Sequence, residues 1–202
     1  MTNTAQETSC TAFEGSRRIA SGELKQVALK VKEVLDRGER APVLIFDDVT
    51  GEPVEVDFRG TPAEVLERLE EVPGAAPAGP AEPVEGEGER RPGRPRLGVV
   101  AREVTLLPRH WDWLNRQPGG ASVALRKLVE EARRVNADKD RIRQAQEAAY
   151  RFLSAMAGNE PGFEEALRAL FAGRQERFHE LAEGWPVDVR DQAKKMAAGA
   201  FR

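Results

Sequence analysis

Cysteine and histidine are nearly absent from this sequence. Its 202 residues include one cysteine, Cys10, and two histidines, His110 and His179, which lie far apart in the chain. A single cysteine excludes an internal disulfide and any multi-cysteine zinc site, and two distant histidines leave little material for a metal centre. We therefore expect no metal and no cofactor. Cys10 has no histidine near it in sequence, so it is expected to pack as a small apolar residue rather than act as a nucleophile.

Long apolar runs, a secretory signal and catalytic motifs are also missing. No apolar stretch approaches the roughly 20 residues that a membrane span needs, and the first residues, MTNTAQETS, lack the basic and apolar regions of a signal peptide. We expect a cytoplasmic protein without a membrane partner. The sequence has no nucleophile elbow, no phosphate-cradling glycine loop followed by lysine, and no metal-ligand spacing. It therefore predicts that the chain is not an enzyme.

Charge is present in quantity but is unevenly distributed. Residues 1–89 hold 9 Lys/Arg and 19 Asp/Glu, a net of -10, whereas residues 90–134 hold 11 and 4, a net of +7. Residues 135–202 are balanced, with 11 of each sign. The whole-chain net charge of -3 therefore hides a basic island at the centre of the sequence. Because local charge decides binding to polyanions, this island is compatible with a nucleic-acid partner.

Residues 10–72 have the pattern of a small α/β unit. The segments 10–14 and 17–20 predict two short strands around Gly15-Ser16, and the helical spacing of apolar residues over 24–35 predicts a helix that begins at Ser21 or Gly22. The runs 42–47 and 53–58, separated by turn residues, predict a hairpin. We expect the acidic residues of this hairpin, Asp47 and Asp48 among them, to be solvated surface. The segment Thr61-Pro62-Ala63-Glu64 predicts the capped start of a second helix.

A proline- and glycine-rich segment, residues 73–98, separates this unit from the rest of the chain. It has too few large aliphatic residues to offset the entropy of ordering, so we predict a disordered linker. Its end is a basic arm that resembles an AT-hook, in which a glycine allows close approach to the groove floor, a proline keeps the backbone extended and arginine lies in a narrow A·T minor groove. Two interpretations stay open: a hook that selects A·T-rich duplexes, or a basic linker that contacts phosphates. The residues of the arm are Arg91, Gly93, Arg94, Pro95 and Arg96.

The next region, residues 99–134, carries a strand-helix-helix pattern. An aliphatic run at 101–107 is followed by a helix with Trp111 and Leu114 inward, a Gly119-Gly120 turn and a second helix led by Ser122. This region resembles the ribbon-helix-helix family of bacterial regulators. The resemblance implies a homodimer whose paired strands enter the major groove of double-stranded DNA while the start of the second helix holds a phosphate. It assigns base or phosphate contacts to Arg102 and Thr105, and the phosphate anchor to Gly120, Ala121 and Ser122.

Residues 135–202 are helical throughout in their pattern, with apolar stripes that predict a small helical bundle. The complete prediction is an α+β chain with a small α/β unit (10–72), a linker with a basic arm (73–98), a strand-helix-helix module (99–134) and a helical region (135–202). The strings PVLIFDDVTGEPVEVDFRG, VAREVTLLPRHWDWLNRQPGGAS and GWPVDVRDQA also resemble an uncharacterised bacterial family, domain of unknown function 2239. That resemblance implies a bacterial origin and no particular activity.

Two functions follow from these patterns. In the first, the chain is a DNA-binding transcriptional regulator whose central module docks a dimeric ribbon on DNA with help from the basic arm. In the second, it is a non-enzymatic interaction or structural protein in which the strand-helix-helix segment serves only as a core or a dimer interface. An alternative to the homodimer also stays open, in which strands from residues 10–58 pair with the central strand within one chain.

Overall fold

The computed structural model describes residues 9–38, 41–71, 100 and 102–201. Within these ranges the chain forms a three-stranded antiparallel sheet and seven α-helices, which confirms the predicted α+β class. The chain divides into two compact units, one made of residues 1–73 with 136–202 and the other of residues 74–135. The predicted linker, residues 73–98, lies outside the described residues together with its basic arm.

The sheet of the first unit has the order β2-β1-β3. The central strand β1 (Ser9–Glu14) pairs in antiparallel fashion with β2 (Arg17–Glu23) on one side and β3 (Val43–Asp47) on the other. Gly15 has a φ of 57° and allows the tight turn between β1 and β2. Both strands were predicted. Because β2 continues to Glu23, the following helix begins two to three residues later than its pattern indicated.

Two helices accompany this sheet. Helix α1 (Leu24–Asp36) buries Val27, Ala28, Val31 and Val34, the spacing expected of one helical face. Helix α2 (Pro62–Glu71) begins with the predicted capping arrangement. The Thr61 N–H donates to the Glu64 carboxylate at 2.7 Å, and the Glu64 N–H donates to the Thr61 hydroxyl at 3.4 Å. The two bonds satisfy donors that a helix start leaves without partners.

The predicted hairpin between residues 42–47 and 53–58 is only partly formed. The Asp47 N–H donates to the Glu52 carbonyl at 3.0 Å and the Val54 N–H to the Ile45 carbonyl at 2.8 Å, but the only pairing beyond the turn is a single bridge between Phe46 and Pro53. The predicted second strand is therefore wrong as regular structure. Proline has no N–H to donate, and Pro42 and Pro53 stand at the two ends of the ladder that this strand requires.

The C-terminal residues form the predicted helices. They are α5 (Phe163–Phe171), α6 (Gln175–Ala182) and α7 (Val187–Ala197), followed by a short 3₁₀ turn at Ala198–Ala200. Gly162 and Gly173, with φ of 77° and 66°, lie just outside the two ends of α5, where a left-handed conformation reverses the chain. The buried faces contain the residues that the apolar stripes indicated, including Leu170, Phe178 and Val189.

One hydrophobic core joins the sheet to these helices. Phe13 of β1, Phe46 of β3 and Phe152 form a cluster with ring centroids 5.1–6.3 Å apart. The opposite face of the sheet packs a second core against α1, with Cys10, Ala12 and Ile45 buried. Alternation along β1 thus sends Thr11 and Phe13 to one face and Cys10 and Ala12 to the other. The ranges 10–72 and 135–202, separate in the sequence prediction, share a core in the folded chain.

The second unit contains α3 (Pro108–Asn115) and the first part of α4 (Gly120–Met156). Leu114 and Ala124, 3% and 8% exposed, are buried in this helical hairpin. The boundary predicted at 134/135 lies within one residue of the division between the two units, although α4 runs through that position without a break. No glycine or proline occurs between Ala121 and Met156 to end the helix.

Candidate nucleic-acid interface

The segment before α3 holds the two predicted contacts of the ribbon. Arg102 and Thr105 are both exposed. Residues 102–107 form no strand in the described part of the chain, and the sheet β2-β1-β3 does not include them. The strand predicted at 101–107 is therefore not formed by its described residues, 102–107, in a single chain. A strand without a neighbour leaves its backbone donors and acceptors unpaired, so a ribbon here requires a second copy.

The turn between α3 and α4 is built on two glycines in the left-handed region. Gly119 and Gly120 have φ of 86° and 75°, and the Gly120 N–H donates to the Gln117 carbonyl at 3.0 Å. A Cβ on Gly119 would lie 3.1 Å from the Val123 side chain, so this position favours glycine sterically as well. The predicted break between the two helices is confirmed. The predicted phosphate anchor, Gly120, Ala121 and Ser122, forms the first turn of α4.

The first turn of α4 has the electrostatic character that an anion requires. It contains no acidic side chain, and Ser122 is exposed there. Backbone N–H groups at a helix start have no intrahelical acceptor, and the helix dipole places partial positive charge at this end. An oxyanion placed here would be attracted by both effects.

The tryptophans of α3 occupy two different environments. Trp111 is half-buried, in agreement with the inward position predicted for it, whereas Trp113 is 51% exposed. The α3 face that closes on α4 is centred on Leu114 instead. Helical geometry explains this difference, because Trp111 and Leu114 lie three positions apart on one face, whereas Trp113 lies about 200° around the helix from Trp111.

Basic side chains without a carboxylate partner are more frequent in this unit than in the first, where among the described residues only Arg18, Lys139 and Arg174 have none. Five exposed basic residues of the second unit make no ion pair with a carboxylate among residues 9–38, 41–71 and 102–201; we call them the basic set: Arg102, Arg109, Arg116, Arg126 and Lys127. The Arg126 side chain donates to the Ser122 carbonyl at 3.1 Å. Farther along α4, Arg133 pairs with Glu130 at 3.0 Å and Arg134 with Glu131 at 2.9 Å. Positive charge that no carboxylate of the described chain offsets is thus concentrated at residues 102–127.

A different polar cluster lies in the first unit, around Asp48. The Asp48 side chain is 6% exposed. Its Oδ1 accepts hydrogen bonds from Thr11 Oγ1 at 2.7 Å and Gln192 Nε2 at 2.8 Å. Its Oδ2 accepts from Ser9 Oγ at 2.9 Å and Lys195 Nζ at 2.8 Å. We call these five residues the Asp48 network. The prediction that Asp48 is solvated surface was wrong, because this turn lies against α7.

The hydrogen bonds of the Asp48 network stabilise the ionised form of its carboxyl group. Burial raises the pKa of this carboxyl, but hydrogen bonds from Lys195, Thr11 and Ser9 outweigh burial and hold the pKa below its ordinary value. Four donors occupy the two carboxylate oxygens and leave no position for a substrate group. Burial raises the pKa of neighbouring Cys10 to about 11, and Asp47 and Asp48 add to that shift. The arrangement joins the sheet to α7 and has the features of a structural contact.

Neither a metal-binding cluster nor a membrane-spanning helix occurs in the described part of the chain. Among residues 9–38, 41–71, 100 and 102–201, no group of three or more His, Cys, Asp or Glu side chains could hold a metal ion. Within that part of the chain, no helix combines the length and the apolar character needed to cross a membrane.

Comparison with known proteins identifies the family. Residues 9–197 match the family described as an uncharacterised protein conserved in bacteria (DUF2239), and the chain belongs to it. No curated protein and no solved structure matches the chain. The resemblance of the complete sequence to this family is thereby confirmed, whereas the likeness to ribbon-helix-helix proteins and to AT-hooks remains a prediction.

Proposed function

We propose that this member of the DUF2239 family is a non-enzymatic protein that binds double-stranded DNA through residues 90–134 and acts as a transcriptional regulator. The observation that carries the proposal is the basic set. Its five cations are exposed and have no carboxylate partner in the described chain. Most described surface cations of the first unit, such as Arg17, Arg59 and Arg177, are paired, and only Arg18, Lys139 and Arg174 are not. Cations without partners are available to displace counterions from phosphates, and counterion release is the main source of nonspecific DNA affinity.

The proposed contacts divide into two kinds. Arg102 and Thr105 contact bases or phosphates from the exposed segment before α3, while Gly120, Ala121 and Ser122 bind a phosphate at the start of α4. The left-handed turn at Gly119 and Gly120 supports the second contact, because it brings the chain to that helix start without bulky side chains. A homodimer is part of the proposal, since the ribbon needs a second strand.

The basic arm is assigned a role on its sequence alone. Its residues Arg91, Gly93, Arg94, Pro95 and Arg96 lie outside the described residues. If Arg94 enters a minor groove, Arg94→Ala is expected to lower affinity most on A·T-rich duplexes, whose narrow groove attracts arginine. Equal losses on A·T-rich and G·C-rich duplexes would reduce the arm to a phosphate contact. The measurement is a titration of each duplex by fluorescence anisotropy.

The proposal is tested by DNA binding at two salt concentrations. We expect the full-length protein to bind random and A·T-rich duplexes at low salt, with affinity that falls steeply as salt rises. The double variant Arg126→Ala/Lys127→Ala should bind more weakly, and the slope of log K against log salt should become shallower by about 0.9 for each phosphate that the protein no longer neutralises. Arg168→Ala/Arg177→Ala is the matched control. It removes the same net charge from paired residues of α5 and α6 and should leave binding unchanged.

Two outcomes contradict the proposal. Equal weakening by both double variants would show that only overall charge matters, and absence of binding at low salt would exclude DNA as the partner. The second result would favour the interaction-protein function. One observation supports that alternative: apolar side chains in residues 100–135 of the described chain are exposed, among them Val100 at 72% and Val135 at 65%.

A further inference from the structure

The apolar residues in the first part of α4 follow a regular spacing. Leu125, Leu128, Ala132 and Val135 recur at alternating intervals of three and four residues, and Ala121 precedes them in the same series. This is the a and d spacing of a coiled coil, which places all of these side chains along one stripe of the helix. We call the stripe from Ala121 to Val135 the α4 seam.

The seam is not covered by the described residues of the second unit. Leu128 and Val135 are 47% and 65% exposed, and the adjacent Val129 is 55% exposed. Helix α3 does not bury this stripe, because the buried residues of the hairpin are Leu114 and Ala124. A helix that displays a heptad stripe to water lacks the partner that such a stripe requires.

We infer that the α4 seam pairs with the α4 seam of a second copy of this chain, in a parallel two-stranded coiled coil. The inference rests on the homodimer of the proposed function and adds a second contact to it, besides the paired strands. A second copy is the partner because an identical helix has the same a and d spacing. Its apolar side chains therefore fit between those of the first helix. This is a different surface from the predicted β-ribbon, for which no strand is present in the described chain.

Charge decides the parallel orientation. With Leu125 at a, the flanking g positions are Glu131 and Asp138, and Arg143 is at e. Parallel pairing places g next to the following e of the partner, so Asp138 faces an arginine at position 143. Antiparallel pairing brings g beside g and sets Glu131 against Asp138, two like charges.

The charged residues are able to make these exchanges. Within one chain, Asp138 contacts Arg141 at 3.7 Å and Arg143 contacts Asp140 at 2.9 Å. All four side chains are exposed. Exposed ion pairs contribute little to stability, so these intrachain pairs can be exchanged at small cost for ion pairs between two copies. Lys139 occupies the next a position and interrupts the apolar series. A single lysine at a is a feature that limits such assemblies in register and number of strands.

Sedimentation of the full chain without DNA separates this interface from the ribbon. The wild-type chain, 22.3 kDa, should sediment at twice that mass at micromolar concentration. Val135→Asp should return it to a monomer, whereas Val104→Asp, in the predicted ribbon, should leave the dimer intact. Val187→Asp is the matched control: Val187 is 59% exposed at the start of α7, where an aspartate is tolerated, and the dimer should persist.

Each result has a defined meaning. A monomeric wild type overturns the inference, and so does a dimer that Val104→Asp dissociates while Val135→Asp does not. The second outcome supports the ribbon dimer of the proposed function and rejects only the seam. Loss of DNA binding with an intact seam dimer would reject the DNA partner instead. Circular dichroism of each variant confirms that helix content is unchanged, as expected for substitutions at exposed positions.

Orientation is tested by a cysteine at the seam. In a parallel coil the d residue at 135 faces its own copy, whereas in an antiparallel coil it faces the a residue at 132. Val135→Cys should therefore form an intermolecular disulfide with oxidised glutathione. The native Cys10 is fully buried and should not compete. Failure of Val135→Cys to cross-link, with a cross-link in a mixture with Ala132→Cys, would establish the antiparallel arrangement and overturn the parallel one.

Discussion

The two units of this chain use their apolar residues in opposite ways. In the unit of residues 1–73 with 136–202, aromatic rings from two strands and a helix are enclosed completely, with Phe13, Phe46 and Phe152 at 0–1% exposure. In the described part of residues 74–135, only Leu114 and Ala124 are buried, and most of the larger apolar side chains remain in contact with solvent. The first unit stabilises itself, whereas the second has a surface suited to a partner.

The largest loss of stability is expected from a substitution in the aromatic cluster of the first unit. Phe152→Ala removes a ring whose centroid lies 5.1 Å from that of Phe46 and 5.5 Å from that of Phe13. We expect a loss of about 3–5 kcal/mol in the free energy of unfolding, because the cavity adds to the transfer free energy of the missing ring. Urea denaturation measures it. A loss below about 1 kcal/mol would contradict the enclosed core described above.

A smaller loss of stability is expected from substitution of a glycine in the turn that lies against α4. Gly51 has a φ of 70°, and a Cβ there would come within 2.1 Å of the Ala148 carbonyl oxygen. Gly38 is the matched control, with a φ of 76° and nothing within 4 Å of its Cβ position. Gly38→Ala should cost about 1–2 kcal/mol for the left-handed backbone alone, and Gly51→Ala about 1–3 kcal/mol more for the displaced helix backbone. Equal costs in thermal melts would show that the turn and α4 are not in close contact.

The Asp48 network should give an effect that depends on pH. Asp48→Asn leaves buried donors without an anionic acceptor and should reduce the free energy of unfolding by about 1–3 kcal/mol at neutral pH. The pKa of Asp48 is lowered in the folded chain, so its contribution is present above the unfolded-state value, about 3.9, and is lost as pH falls below it toward the folded value. The unfolding free energies of the wild type and of Asp48→Asn should therefore approach each other as the pH falls below about 4.

Asp57 is the control for this pH effect. It also has a lowered pKa, caused first by the hydrogen bond from the Arg59 side chain, but the pair is on the surface. Asp57→Asn should change stability less than Asp48→Asn, because water screens an exposed pair. Chemical denaturation of both variants between about pH 3 and pH 7 makes the comparison, and a larger effect at Asp57 would reverse the ranking of buried and exposed carboxylates proposed here.

The smallest effect is expected in the second unit. Trp113 is half-exposed on α3, so Trp113→Ala should change the free energy of unfolding by about 0.5 kcal/mol or less, despite the size of the side chain. A loss near that of Phe152→Ala would show that this tryptophan is enclosed by the chain itself. Urea denaturation at the lowest protein concentration that gives a signal is the measurement.

Short-range patterns in the sequence predicted much of this fold. The Gly15-Ser16 turn indicated the strands β1 and β2, the capping residues Thr61 and Glu64 indicated the start of α2, and helical spacing indicated the C-terminal helices. Each of these signals depends on neighbouring residues only. The burial of Asp48 could not be predicted in this way. Its partners Gln192 and Lys195 are 144 and 147 residues away, and only the tertiary fold brings them to the turn.

Only part of the candidate interface could be predicted from the sequence. The Gly119-Gly120 break was identified because glycine pairs have a strong local preference, and its backbone geometry agrees. The strand at 101–107 was not formed, since a β-ladder depends on a neighbour that local sequence does not specify. The continuity of α4 was missed as well. The change in charge composition at 134/135 lies one residue from the division between the two units, but composition does not end a helix that has no glycine or proline.

The enclosure of Phe13 and Phe46 by residues near the other end of the chain has a consequence during protein synthesis. The strands that carry these rings leave the ribosome long before Phe152, and Phe201, also in this core, follows later still. At about 5–20 residues per second, on the order of ten seconds pass between the synthesis of β3 and that of the helices that cover it. During that interval the nascent sheet exposes one aromatic face, and a chaperone that recognises such faces has time to bind it.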